Sequence, residues 1–420
     1  MPVLVTAWSL AACGGRREAA APEPELAQID RALARGAAYL ASRQEADGAI
    51  RAPTYAAFRD GYALTGLAAM ALGPIQDLAP GPAYPRAVDF LATVVGADGA
   101  LRAPPPAYPT YVAALGALAL AAPGNERHAA AREALVTHLH GRQLGPALGW
   151  GPEDASSGGW GYYPREPRRP AGAIGDDLLS SNLSATLFAI GALTLGGVGL
   201  DDPSLVLARG FVERCQNRVA ACPPPGAAAT PCPDDGGFFF SPAVPDANKA
   251  GVITWQGRER YPSYGSMTAD GVRALLRLGV APGDPRVAEA AAWLERHFDP
   301  AANPGAFATV AEVRRASAYY YWTWTAAHAL RALGKAELVT ARGRVRWAPA
   351  LAAELLRRQR ADGAWKSDYM EMREDDPVVA TSFAMAALAV SRAAIAGEHR
   401  RHGVSKSAAP AGPGGPPVVP

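Results

Sequence analysis

The chain of 420 residues carries 41 basic and 39 acidic side chains, a net charge of +2 at pH 7, and 49% of its residues are hydrophobic. Because the two signs are mixed along the chain, no face is built for nucleic acid or for an anionic membrane surface, and we expect no nucleic-acid partner. The length alone allows two or three domains, so the internal organisation decides between them.

The N-terminal residues 1–13 form a short apolar segment that ends in Leu10, two alanines and Cys13. Small residues before a cysteine resemble the cleavage site of a bacterial lipoprotein, which predicts that Cys13 is lipidated and that residues 14–27 are a linker. The protein would then lie in the cell envelope, held to the membrane by its lipid anchor. Because no Lys or Arg precedes the apolar run, a cytoplasmic protein with a ragged N-terminus stays open as the alternative.

A unit of helix, Asp-Gly turn, aromatic loop and second helix then recurs along the chain. It is clearest in LLRRQRADGAW, where helix-favouring residues lead to Gln359, the turn pair Asp362-Gly363 and Trp365. YLASRQEADGAI near the N-terminus matches its glutamine, Asp-Gly pair and following alanine, with Gln44 as the glutamine. Four weaker copies lie between these two, at residues 90–101, 137–163, 210–240 and 291–307.

Each copy is followed by a second helix rich in alanine and leucine. These helices are predicted at residues 60–72, 111–121, 182–195, 267–278, 322–333 and 378–390. The first helices carry charges such as Arg31 and Arg35 on one side, as a solvent-facing layer does, whereas the second helices are apolar nearly all round and must be buried. The pattern predicts an all-α (α/α)6 toroid over residues 28–398, with two concentric layers around a central pocket and a disordered tail at 399–420.

One inner helix, near residues 183–200, is apolar enough to suggest a membrane span. The equivalent helix of repeat four contains Asp270, Arg273 and Arg277, and charges at that density are costly in lipid. We therefore expect a water-soluble ring of helices.

The recurring glutamine, Asp-Gly turn and aromatic residue, together with GGWGYY at residues 158–163, resemble the QW repeats of the squalene cyclase and protein prenyltransferase β-subunit superfamily. The resemblance covers about residues 28–395. It implies that Gln359 and Trp365 are structural, and that the central cavity binds an apolar or isoprenoid-like ligand. Prenyl transfer is not implied, because the D-x-C zinc motif of prenyltransferases is absent from the sequence, and we expect no cofactor or metal.

Cyclases of this superfamily start their reaction with a D-x-D-D motif whose central carboxyl is kept protonated. The segment Arg373-Glu374-Asp375-Asp376, before the sixth inner helix, resembles this motif and makes Asp375 and Asp376 the candidate catalytic acids. Arg373 stands where the first aspartate would be, and we expect its guanidinium to lower the pKa of both acids. The other acid pair, at residues 176–177, is interpreted as a helix cap.

Aromatic side chains gather where the inner helices begin, at one mouth of the ring. A helix turns about 100° per residue, so Tyr320, Trp324 and His328 share a face that we expect to line the lumen, while Trp322 points away. Tyr264 is expected at the same opening. The rim also includes Tyr162, Tyr163, residues 238–240 and Tyr261. Such a mouth suits an apolar, cationic or sugar ligand, and simple packing of a wide centre explains it equally well.

Asp270 is the one acid well inside an inner helix. An unpaired buried carboxylate is expensive, so a function is a stronger explanation for Asp270 than packing. We predict that Asp270 contacts the ligand.

Three cysteines, Cys215, Cys222 and Cys232, lie in and just before a proline-rich loop. One disulfide and one free thiol is the simplest arrangement in an oxidising compartment, and the pairing stays open. A zinc site is the alternative, although no nearby histidine completes the ligand set.

The sequence leaves three functions open. The first is a cyclase-like enzyme that uses Asp375 or Asp376, and the second is a non-catalytic binding or interaction protein. The third is a periplasmic glycan-active (α/α)6 enzyme, which paired carboxylates facing each other across the lumen would favour.

Overall fold

A computed structural model describes residues 24–102, 105–218 and 234–407. The candidate lipidation site Cys13, and Cys222 and Cys232, lie outside these residues. Cys215 is a buried free thiol. Among the described residues, no group of three or more His, Cys, Asp or Glu side chains could hold a metal ion.

Six helices form a closed inner ring. They are α2 (Tyr62–Leu72), α4 (Pro109–Leu120), α6 (Leu183–Leu195), α8 (Gly265–Arg277), α11 (Tyr319–Ala332) and α13 (Pro377–Ser407). Each packs on the next in this order, and α13 packs back on α2. The first eleven residues of α6 are all buried, which explains why the inner helices are apolar all round.

Six further helices form the outer layer. They are α1 (Leu26–Ser42), α3 (Ala83–Ala92), α5 (Ala129–His140), α7 (Pro203–Arg214), α9 (Pro285–His297) and α12 (Trp347–Arg358). In α1, Ile29, Leu33 and Leu40 are buried against the inner ring, while Arg31 and Arg35 are exposed. The predicted (α/α)6 toroid and the burial of its inner layer are therefore confirmed.

In the described residues, the connections contain one short α-helix, several single 3₁₀ turns and three two-stranded antiparallel sheets. The helix is α10 (Glu312–Ser317); the sheets pair β1 (Trp160–Gly161) with β2 (Ser181–Asn182), β3 (Ile253–Trp255) with β4 (Arg258–Arg260), and β5 (Glu337–Thr340) with β6 (Gly343–Arg346). At the ends of the domain, α1 begins two residues before position 28, and α13 continues past position 398, where the disordered tail was predicted to begin.

The glutamines of the repeats connect neighbouring helix pairs. Gln44 Nε2 donates to the carbonyl of Gly48 in its own turn and to the carbonyl of Ala83 in the next outer helix, both at 2.9 Å. Gln359 Nε2 does the same with Gly363 and with Ala32 of α1, and so closes the ring. Gln143 and Gln216 make the equivalent pairs of bonds. These contacts confirm that the glutamines are structural.

The turn glycines that follow are needed for both conformation and space. Gly48 and Gly363 have φ angles of 91° and 88°, a region that side chains disfavour. A Cβ on Gly48 would lie 2.4 Å from the carbonyl oxygen of Arg86 in the next outer helix, so the close approach also requires glycine. In the third and fourth copies the positive φ falls on Gly158 and Gly236.

One helical segment of the described chain, Pro377–Glu398, is long and apolar enough to cross a membrane, and 83% of its apolar 18-residue window is buried inside the protein. It is the main part of α13, the inner helix of repeat six. The segment suspected from the sequence, near residues 183–200, contains only the 13-residue helix α6.

Candidate functional site

The lumen contains a cavity of about 390 Å³ at the N-terminal ends of the inner helices. Each inner helix contributes side chains from its first seven residues: Ala63 and Leu67, Tyr111 and Leu115, Ser184 and Phe188, Ser266 and Met267, Tyr321, and Val379 and Phe383. Four of these are pairs four residues apart, which lie on one face of a helix. The volume is in the range of small-molecule sites.

Eight aromatic side chains line this cavity: Phe58, Tyr108, Tyr111, Tyr162, Phe188, Phe240, Tyr321 and Phe383. Tyr111 stacks on Tyr162 with ring centroids 5.3 Å apart and meets the edge of Phe188 at 5.0 Å. On the opposite side, Tyr321 meets Phe383 edge to face at 5.3 Å. Much of the wall is therefore aromatic, which suits an apolar molecule or a cation.

Trp324 closes the inner end of the cavity. Its ring packs within 5.3 Å of Phe188, Phe383 and Tyr321, all of which line the cavity, while its own exposed fraction is 2%. The guanidinium of Arg273 lies 4.1 Å from the ring centroid. Trp324 thus faces the axis of the toroid, as predicted. It lies beneath the side chains that form the inner end (the floor) of the cavity and is not itself a lining residue.

His328 lies one helical turn deeper, beside the Trp324 ring. Burial lowers its pKa well below the usual value, and the nearby Arg273, Arg277 and Arg331 act in the same direction. The imidazole is therefore neutral, and it does not line the cavity.

Tyr320 does not lie on the side of α11 that faces the lumen, contrary to the prediction. This tyrosine turns toward the outer layer, where its hydroxyl donates to the carbonyl of Lys366, and Tyr321 takes the place on the lumen that Tyr320 was expected to occupy. Trp322 points outward as predicted, since its indole N–H donates to the carbonyl of Asp299. The prediction that Tyr320 lines the lumen was wrong, because the lumen-facing side of α11 is centred between Tyr321 and Trp324.

Tyr264 is fully buried at the start of α8, where its ring packs against Phe307 at 5.6 Å. It lies between repeats four and five and does not border the cavity. Its predicted position at the opening is therefore wrong, because the contact with Phe307 holds it inside the ring wall.

Asp270 is fully buried just below the cavity wall. Its Oδ2 accepts hydrogen bonds from Tyr321 at 2.7 Å and Ser184 at 3.3 Å, and both of these residues line the cavity. Its Oδ1 accepts from Thr325 at 2.5 Å, and Arg273 lies 3.8 Å away. The carboxyl is thus well partnered, contrary to the expectation of an unpaired acid.

Burial nevertheless raises the pKa of Asp270, while Arg273 and the three hydroxyl groups oppose that shift. A raised pKa favours the neutral acid, which can donate a proton. Only one hydroxyl, that of Tyr321 or Ser184, separates this carboxyl from the cavity.

Asp375 and Asp376 lie at the same rim as the aromatic mouth but do not line the cavity. Asp375 accepts a hydrogen bond from Tyr55 at 2.6 Å, and Asp376 caps α13 by accepting from the backbone N–H of Val378. Burial raises the pKa of Asp376, which corrects the expectation that Arg373 lowers it. Neither acid is in place to protonate a molecule in the lumen.

Arg373 itself points into the mouth. Its guanidinium lies 4.4 Å from the ring centroid of Tyr55 and donates to the hydroxyl of Tyr108, and it lines the cavity. The acid of this cluster that faces inward is Glu374, which accepts from the backbone N–H groups of Tyr320 and Tyr321 at the start of α11. Burial raises the pKa of Glu374 to about 8, although these N–H groups and Lys249 act in the opposite direction.

Two kinds of lining residue were not predicted from the sequence. Phe188, Phe383 and Tyr111 lie within predicted inner helices. Each is four residues from another lining residue of its helix, and this spacing could have identified them. Lys249 belongs to an irregular connection before β3 that has no periodicity, so only the folded structure reveals that its ammonium faces the cavity.

The sequence matches no protein family model and no curated protein. Solved structures do resemble it. The type II terpene cyclase MstE from Scytonema, in its apo form, aligns with a TM-score of 0.50 and 17% identity over 89% of this chain and 99% of that chain. A variant of the same cyclase, in complex with its substrate geranylgeranyl dihydroxybenzoate, gives 0.50 and 16% over 88% and 98%. A protein from Actinoplanes gives 0.46 and 18% over 88% and 100%.

At these identities the likeness concerns the fold. The chain is an all-α toroid of the kind found in type II terpene cyclases, and this agrees with the ring of helices described above.

Proposed function

We propose that the protein binds an apolar, isoprenoid-like molecule in the lumen of its toroid. The observation that carries the proposal is the cavity of about 390 Å³, which all six inner helices surround and eight aromatic side chains line. A mainly apolar, concave site of this volume is typical of small-molecule binding. The cyclase MstE, which has the same fold, is described in complex with an isoprenoid substrate, and this supports the same class of ligand here.

This proposal is tested by adding isoprenoid ligands to the protein and by filling the cavity with a bulky side chain. Isoprenoid alcohols of ten to twenty carbons are titrated into the protein, and quenching of tryptophan fluorescence reports occupancy because Trp324 lies directly beneath the floor. Leu67→Trp places a bulky ring in the cavity and should weaken binding at least about tenfold, since a close-packed wall cannot make room for both. Leu195→Trp is the matched control, because Leu195 is 61% exposed at the end of α6. Binding that is unchanged in Leu67→Trp, or absent in the wild type, would refute the proposal.

A second candidate function is proton-initiated cyclisation, with Asp270 as the acid in place of Asp375 or Asp376. Asp270 combines a raised pKa with hydrogen bonds to two hydroxyl groups on the cavity wall. The carboxylic acid would pass its proton through one of these hydroxyls to an alkene carbon, and the aromatic wall would stabilise the resulting carbocation. The cyclised cation then loses a proton, which returns to the Asp270 carboxylate through the same hydroxyl and completes the isomerisation.

Asp270→Asn separates this reaction from binding. The variant keeps a polar group of the same size, so it should bind the ligand while forming no cyclised product. Asp375→Asn is the control and should keep wild-type turnover, because Asp375 does not line the cavity. Equal product formation by Asp270→Asn and the wild type would remove Asp270 from the mechanism and leave the binding proposal intact.

A glycan-active enzyme is less well supported. Among the described residues that line the cavity, Glu371 supplies the one carboxylate, and its partner is Arg314 at 3.8 Å. Glycoside hydrolysis requires two carboxyl groups that flank the bond to be cleaved.

A further inference from the structure

Lys249 is a buried cation on the wall of a mainly apolar cavity. Only 9% of the residue is exposed, and its Nζ lies 4.3 Å from the ring centroid of Phe240. Within the described part of the chain, Nζ makes no hydrogen bond and no ion pair. Contact with an aromatic face offsets only part of the cost of removing an ammonium from water.

The carboxyl groups that act electrostatically on Lys249 each have other hydrogen-bond or ion-pair partners. Glu371 pairs with Arg314, and Glu374 accepts backbone hydrogen bonds at the start of α11. Asp270 is bound by three hydroxyl groups below the wall. None of these acids supplies a direct counter-ion to the ammonium.

Arg373 is a second cation on the same wall. It rests on the ring of Tyr55 and donates to the hydroxyl of Tyr108, and it forms no ion pair with a described carboxylate. Glu371 is the one carboxylate among the described lining residues, and it pairs with Arg314, so Lys249 and Arg373 have no ion-pair partner on the described wall. A buried charge is retained at this cost where a partner of opposite charge completes the site.

We propose that the ligand is an acidic amphiphile, whose chain fills the aromatic cavity and whose anionic head group binds the ammonium of Lys249 and the guanidinium of Arg373. The inference rests on the proposed function, because it names the chemical class of the molecule bound in the same lumen. The head group is a carboxylate or a phosphate, since both accept charge-assisted hydrogen bonds from Lys and Arg.

The test compares probes that share one chain and differ only in the head group. Farnesoic acid, methyl farnesoate and farnesyl phosphate are each titrated into the full-length protein at pH 7, with farnesol as the uncharged alcohol. The acid or the phosphate should bind at least about tenfold more tightly than the methyl ester, as expected for a charge-assisted contact in a buried site. Whichever anion is preferred identifies the head group.

Variants assign the preference to Lys249. Lys249→Met has a similar length without the charge. It should lose most of the preference for the anion and keep only the part that Arg373 supplies, while its affinity for the ester is unchanged. Lys249→Arg should keep much of the preference. Lys366→Met, the same substitution at an exposed lysine, should behave as the wild type. Circular dichroism checks that each variant is folded, and the wild-type comparison of acid with ester requires no variant.

The possible outcomes separate this inference from the binding proposal. If neither the acid nor the phosphate binds the wild type more tightly than the ester, the inference is overturned and the apolar binding site stands. A preference for the anion that is as large in Lys249→Met as in the wild type also overturns it, because the charge that binds the head group would then lie elsewhere. If none of the four probes binds, the proposed function itself fails.

Discussion

Truncation of Trp365 tests whether the repeat aromatics hold the ring together. Trp365 is fully buried, and its indole N–H donates to the carbonyl of Leu355 at 2.8 Å in the last turn of α12. Carbonyls at the end of a helix have no partner within the helix, so the tryptophan satisfies one of them. Trp160 makes the same bond to Leu139 near the end of α5. The aromatic residue is therefore a cap for the outer helix as well as a core side chain.

The expected cost has two parts. Removing a buried tryptophan side chain costs about 3–5 kcal/mol through lost burial and the remaining cavity. A buried carbonyl left without a donor costs about 1–3 kcal/mol more. Because the two effects overlap, we expect Trp365→Ala to lower the free energy of unfolding by about 4–6 kcal/mol. Trp365→Phe keeps most of the packing and loses the N–H, so it should cost about 1–3 kcal/mol.

Urea denaturation followed by far-ultraviolet circular dichroism measures these differences. The midpoint should fall while the slope stays unchanged, and the melting temperature should fall by about 5 °C for Trp365→Ala in a domain of this size. Trp255→Ala is the matched control, because Trp255 is only half-buried in the hairpin strand β3 and should cost far less. A Trp365→Ala protein with wild-type stability that no longer binds its ligand would show that Trp365 belongs to a site.

Three further predictions concern the ring closure, the buried lysine and the N-terminus. Gln359→Leu and Gln44→Leu should each cost about 2–4 kcal/mol in urea denaturation, since each leaves two carbonyls without a donor; a loss for only one would disprove the equivalence of the links. Burial lowers the pKa of Lys249 from 10.5 to about 8, so the unfolded chain binds more protons between these pH values and the melting temperature should rise across that window. Lys249→Met should abolish that rise, and a rise that persists would mean that another group titrates. Cys13→Ala should move the protein from the membrane fraction to the soluble fraction, and unchanged fractionation would contradict the proposed lipid anchor.

The sequence was sufficient for the architecture because the repeat has a physical signature at every level. Gln44 and Gln359 recur with an Asp-Gly turn, and the structure shows that each forms the same two backbone hydrogen bonds. The difference between amphipathic and fully apolar helices then separates the outer from the inner layer. The hairpins and α10 were not predicted, because connections of this kind lack a repeated pattern.

The site was harder to predict because it depends on how each helix is rotated about its axis. Tyr320 and Tyr321 are adjacent in sequence, yet one faces Lys366 and the other faces the lumen. A shift of one residue turns a side chain by about 100°, and only the packing of α11 between α8 and α13 fixes that rotation. The motif resemblance was also misleading at Asp375 and Asp376, since a sequence pattern does not show that one acid caps a helix and the other meets Tyr55.

The polar groups along the lumen lie at different depths, and their order shows which end of the cavity is closed. Met267 lines the cavity, and Asp270 and Arg273 follow at successive turns of α8, so the charged residues lie below the wall and toward the closed end. Trp324 blocks passage there, because Phe188 and Arg273 contact its ring. Among the described residues, the approach to the cavity therefore lies at the rim where the inner helices begin. Because Arg373 lies at that rim, an acidic amphiphile would bind with its chain innermost, and the far end of the chain would lie closest to Asp270. The proposed anion site and the proposed proton donor are thus compatible with one orientation of one molecule.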